Sequence, residues 1–135
     1  VQESYIDALK ALGEPNRLKL FWLLVHVDQR ICVAEAMDVT GDSQYNVSRN
    51  LKTLHKAKLI TPHKEGKWVF YELAKSYPPS LLALIESVKA LPSEGFVDAI
   101  QKCQLRLSLR ENNACVLGAN SDTWREKVET LTEAV

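Results

Sequence analysis

Between Gly41 and Gly66 the hydrophobic period of the chain changes once, and that change limits the fold more than any other feature. From Ser43 to Lys56 the pattern is helical. Val47, Leu51 and Leu54 recur at i, i+4 and i+7, and Tyr45, Arg49, Lys52 and Lys56 keep helical spacing on the opposite stripe. After Leu59 the period becomes that of strands. ITPH and WVFYEL read as two strands, and KEGK between them reads as a hairpin turn with Gly66 taking the unusual dihedral. Pro62 donates no backbone hydrogen bond and suits only an edge strand. Upstream, Val33 to about Asp38 forms a short helix, Gly41 supplies a turn, and Asp42 or Ser43 opens the next helix. A short helix, a glycine turn, a polar-faced helix and a hairpin make a winged helix-turn-helix. The expected fold class is mainly α with a two-stranded β-wing.

The charge pattern says what that polar face is for. Lys and Arg balance Asp and Glu at 17 each over 135 residues, yet the balance is uneven along the chain. Residues 43–67 hold Arg49, Lys52, Lys56, Lys58, Lys64 and Lys67 against Glu65 alone, and both flanks are net acidic. A cationic helix face followed by a cationic hairpin is the footprint of a nucleic-acid-binding unit. A solvated basic helix is the plainer alternative. The chain opens at Val1 without a basic leader and apolar run, and no apolar stretch is long enough for a membrane, so a cytoplasmic protein is expected. Three cysteines without regular spacing fit a reducing compartment better than a disulfide framework.

The flanking segments are helical. SYIDALKAL places Tyr5, Ile6, Leu9 and Leu12 on one side and ends at Gly13, and Pro15 starts a largely buried second helix. Pro78-Pro79-Ser80 opens a helix with Leu81, Leu84, Ile85, Val88 and Leu91 on one face. The next, after Pro92-Ser93, carries Phe96, Ile100, Cys103 and Leu107, with Val97, Leu105 and Leu109 adding apolar surface elsewhere. Apolar residues on more than one side predict burial against a second subunit, so a homodimer through the terminal helices is expected. TWREKVETL forms a last helix, with Thr123 and Glu126 at capping-box spacing. These readings divide the chain into a winged-helix and dimerisation domain, 1–118, and a helical extension, 119–135.

The stretches ALGEPNRLKLFWLL, GDSQYNVSRNLKTLHKAKLI and KEGKWVFYEL resemble the ArsR family of winged-helix repressors. RLSLRENNACVLG is similar to a C-terminal signature of its arsenic-responsive branch, and together the resemblance covers roughly residues 5–118. Asn50 departs from the family, many members having His there, but the position lies toward the core. The resemblance implies a homodimeric repressor that binds an imperfect inverted repeat of double-stranded DNA in its own promoter and leaves it when an effector binds. The residues agree with this reading. Ser43, Gln44, Asn46 and Ser48 lie at the start of the helix that would enter the major groove, and Gln44, Asn46 and Ser48 are the expected base readers. Arg49 suits a guanine or a phosphate, Tyr45 a sugar, a base or its own domain, and Lys52, Lys56, Lys64 and Lys67 suit phosphates.

Arsenic-sensing members often carry C-V-C at the start of the third helix, where this chain reads Cys32-Val33-Ala34. That leaves Cys32, Cys103 and Cys115 as the candidate ligands for trivalent arsenic or another soft ion, with no other cofactor required. Twelve residues separate the last two, about 18 Å in a straight helix. The helix-poor Glu111-Asn112-Asn113 is expected to turn the chain back so that Cys115 approaches Cys103, with Cys32 as a third sulfur. Each thiol also fits an apolar core. The zinc site that related sensors build from Asp and His looks absent. Two alternatives remain: a thiol-based redox or sulfide sensor of the same fold, and a winged helix used only for protein contacts. No phosphate loop, histidine cluster or activated nucleophile points to an enzyme.

Overall fold

The computed structural model describes residues 3–133. The elements are α1 (Glu3–Leu12), α2 (Pro15–Val27), β1 (Ile31–Cys32), α3 (Val33–Thr40), α4 (Gln44–Lys56), β2 (Ile60–Glu65), β3 (Trp68–Leu73), α5 (Pro79–Lys89), α6 (Val97–Leu107) and α7 (Asp122–Glu133). A 3₁₀ turn, Ser93–Phe96, precedes α6. The expected helix after Pro92 is therefore split, with Phe96 in the turn and α6 beginning at Val97.

Chain chemistry sets most of these boundaries. Pro15 occupies the first turn of α2, where a missing N–H is harmless, and the Glu14 carboxylate accepts from the Arg17 amide at 3.0 Å. The buried run Leu20 to Leu24 makes α2 the centre of the core. Between α3 and α4, Gly41 sits at φ 72° and donates back to the Met37 carbonyl at 2.8 Å, a left-handed cap that a side chain would strain. Ser43 then caps α4, its hydroxyl accepting from the Asn46 amide at 3.1 Å.

The wing forms as expected, closed at Gly66 (φ 61°) with Glu65 opposite Trp68. It belongs to a three-stranded antiparallel sheet ordered β1-β3-β2, so Pro62 lies on an outer strand. The sequence reading missed β1. Two residues are too few to show a period, yet they pair Ile31 with Tyr71 and Cys32 with Phe70.

At the other end, Trp22 stacks on Phe96 with centroids 4.2 Å apart and fastens the 3₁₀ turn to α2. α7 packs on α6 with Trp124 buried. Its cap is Ser121, whose hydroxyl accepts from the Trp124 amide at 3.1 Å, and not the expected Thr123. Tyr5 and Leu9 on α1, Leu82 on α5 and Val97 on α6 remain exposed. Among the described residues, no helix is long and apolar enough to cross a membrane. Residues 1, 2, 134 and 135 of the two expected domains lie outside the described residues.

Candidate nucleic-acid face and thiol site

The buried stripe of α4 is Val47, Asn50, Leu51 and Leu54, which turns the opposite side fully outward. Gln44, Tyr45, Ser48, Arg49, Lys52 and Lys56 line one shallow concave surface on that side. Tyr45 is 72% exposed, so it does not pack on its own domain. Asn46 is exposed too, but its amide donates to Asp42 Oδ1 at 3.0 Å, which fixes its orientation. Ser43 is exposed and engaged as the cap. Among the described residues, Arg49, Lys52, Lys56, Lys64 and Lys67 form no ion pair. Lys67 lies over the Trp68 ring, 4.9 Å from its centroid. The surface is cationic, open and uncommitted, as a polyanion would require.

The three thiols do not assemble as one set. Cys32 Sγ and Cys115 Sγ lie 3.6 Å apart, and both sulfurs lie within 4.8 Å of a Glu35 carboxylate oxygen. Phe70, Trp68 and Ala34 pack around them. Cys103 is buried in the main core, in a different apolar cluster. The turn at residues 111–114 does exist. Asn112 and Asn113 both adopt left-handed dihedrals, and Glu111 and Ala114 exchange backbone hydrogen bonds. It delivers Cys115 to Cys32, however, and not to Cys103.

Two buried ion pairs explain that destination. Glu35 and Asp38 share the face of α3 that meets α6. Glu35 is wholly buried and takes a two-pronged contact from Arg110 (Nε to Oε2 and Nη2 to Oε1, each 2.7 Å). The same carboxylate accepts the Cys32 amide at 3.0 Å, capping α3. Arg106 donates to Asp38 Oδ2 at 2.8 Å and to the Leu117 carbonyl at 2.6 Å, while Asp38 Oδ1 accepts the Asn120 amide at 2.7 Å. The segment carrying Cys115 is thus clamped to α3. Arg110 also reaches the Arg30 carbonyl at 2.6 Å. Arg30 itself pairs with Glu65 of the wing, donates to the Asn113 carbonyl at 2.8 Å, and lies over Phe70, 4.4 Å from its centroid.

These surroundings set the protonation states. Burial first, and then the Glu35 charge, push the Cys32 thiol far up. Burial likewise raises Cys103, to about 11. Both are thiols at neutral pH. Arg30 holds the Glu65 carboxyl down at about 2.

Sequence reading missed Glu35, Asp38, Arg106, Arg110 and Arg30. The available signal was two charged pairs at helical spacing, Glu35/Asp38 and Arg106/Arg110, inside otherwise apolar stretches.

Comparison with known proteins adds an independent line. No family model matches the chain. It is 31% identical over 81 residues to the arsenical resistance operon repressor of Escherichia coli, covering 60% of this chain and 68% of that protein. With a putative arsenical resistance operon repressor of Halobacterium salinarum it is 36% identical over 67 residues, covering 50% of this chain but only 56% of the relative's length. Among solved structures, HlyU from Vibrio cholerae aligns with a TM-score of 0.57 at 27% identity, over 67% of this chain and 94% of that one.

Proposed function

The chain belongs to the ArsR family of transcriptional repressors, and on that premise we propose that it is a homodimeric operator-binding protein released by a thiophilic effector, a trivalent arsenical above all. The observation that carries DNA binding is the unpaired cationic face of α4 continued by Lys64 and Lys67 of the wing. In this reading Gln44, Asn46 and Ser48 read bases, Arg49 reads a base or grips a phosphate, and the lysines grip phosphates. The exposed apolar residues of α1 and α6 lie between subunits, within the 1–118 domain. Residues 119–135 are an extension docked by Trp124.

The effector site is the Cys32–Cys115 pair. Glu35 is not free to complete it, since both its oxygens are engaged by Arg110 and one also by the Cys32 amide. The site therefore supplies two sulfurs, and Cys103 is a core residue. Protonation favours arsenicals over divalent cations. A cation must expel the Cys32 proton against a raised pKa, which weakens binding at neutral pH. An arsenic-bound hydroxide leaves as water with each thiol proton, so two As–S bonds form without net proton release.

The test is titration of the purified operator complex with arsenite. Wild type and Cys103→Ser should release DNA, whereas Cys32→Ser and Cys115→Ser should bind operator and stay bound. Release that survives in both of the latter variants would move the effector elsewhere.

A second reading rests on the 3.6 Å sulfur separation. Two thiols this close can give a disulfide, with hydrogen peroxide taking their two electrons and two protons to become two waters. Intact mass under peroxide separates the readings: a loss of two hydrogens with operator release favours redox sensing.

A further inference from the structure

We propose that Arg30 is a positioning residue that couples occupancy of the thiol pair to the wing. The inference rests on the effector site proposed above and adds how that site reaches DNA.

Arg30 bridges two segments. One edge of its guanidinium pairs with Glu65, between the DNA-facing Lys64 and Lys67. Nη2 also donates to the Asn113 carbonyl at 2.8 Å, in the turn two residues before Cys115. The side chain lies on the Phe70 ring, which forms the wall of the thiol pair. One cation thus contacts the wing, the wall and the Cys115 segment together.

Packing decides which part must yield. Cys32 is wholly buried and its backbone is held twice, by pairing with Phe70 and by the Glu35 carboxylate. Cys115 is buried too, and Arg106 clamps Leu117 just beyond it, but the turn that precedes it, residues 111–114, is exposed throughout and is the part free to move. An arsenic bonded to both sulfurs sits at an apex beside the pair, where Phe70, Trp68 and Ala34 already pack, and interiors packed like crystals do not stretch to admit it and its remaining substituent. The entering group therefore lifts the Cys115 side. Asn113 moves with it, the Arg30 bridge to Asn113 and Glu65 breaks, and the wing loses the tether that fixes Lys64 and Lys67 relative to α4.

The test uses full-length protein, a fluorescent operator and phenylarsine oxide as the probe. The probe's oxygen leaves as water with the two thiol protons, and two As–S bonds form. Occupancy is read by intact mass and operator affinity by anisotropy, each with and without probe. Couplings between sites typically change affinity by roughly 5- to 150-fold. Wild type should show a drop in that range at one probe per protomer. Arg30→Gln and Glu65→Gln should bind the probe equally, but their drop should shrink to less than about threefold. Hydrogen exchange at residues 64–67 should rise on probe binding in wild type only. Glu65 is a half-exposed wing residue, so its variant guards against a folding defect in Arg30→Gln. Full release in both variants overturns the coupling and leaves the effector site standing. A wild type that takes no probe, or keeps its operator when loaded, overturns the effector site and the coupling with it.

Discussion

The outer face of α4 with the wing, and the junction of α3 with the Cys115 segment, use charge in opposite ways. On the first, cations stand in solvent without partners, and each can be changed with little effect on folding. On the second, Glu35, Asp38, Arg106 and Arg110 are withdrawn from water and survive only as matched pairs. Burying a charge is so unfavourable that removing one partner costs more than the pair contributes. The outer face of α4 and the wing is thus free to change residue by residue, whereas the junction changes in pairs or not at all.

The sharpest way to break this contrast is Arg110→Ala. It leaves Glu35 buried and unpaired, and we expect a loss of about 3–5 kcal/mol in denaturant unfolding. Glu35→Gln combined with Arg110→Met should recover much of that loss, because both charges leave together. A single variant that unfolds like wild type would mean water reaches Glu35 and the junction is not dry.

On the open face the corresponding change, Arg49→Ala, should leave unfolding untouched. It should weaken operator binding by about 1–3 kcal/mol and relax sequence preference at one position if Arg49 reads a base. Full operator affinity would remove α4 as the reading helix. Lys64→Ala should have a smaller effect, a uniform weakening across sequences with a salt slope lower by about one per protomer.

The smallest effect lies where the two regions meet. Arg30 depresses the Glu65 pKa, so the stabilisation from their pairing is complete above the ordinary carboxylate value of 4.5 and is lost as pH falls through about 2. A carboxyl NMR titration should therefore place the Glu65 midpoint near 2 in wild type. In Arg30→Gln it should move up toward the ordinary value. No movement would mean that Arg30 does not hold the wing.

The two regions also differ in what the sequence reveals. α4, its serine cap, Gly41, the wing and the outer position of Pro62 rest on neighbours within a few residues, and periodicity and turn chemistry find them. Cys32 meets Cys115 across 83 positions, and Glu35 meets Arg110 across 75. No local pattern reports such distances. The turn at Asn112-Asn113 could be read from its residues, but its destination could not, because the clamps that aim it lie on α3. β1 escaped for another reason: a two-residue strand has no period.

The long reach of the thiol pair also bears on biosynthesis. Chains lengthen at about 5–20 residues per second, so Cys115 is made roughly 4 to 17 s after Cys32. The helix-turn-helix and wing, complete at Leu73, are translated well before either arginine clamp. A nascent chain therefore carries its helix-turn-helix and wing while Cys32 still lacks Cys115 as a neighbour. On the proposed reading, responsiveness arrives only with the final segment, and a chain cut short before Cys115 is blind to the signal whatever its thiol chemistry.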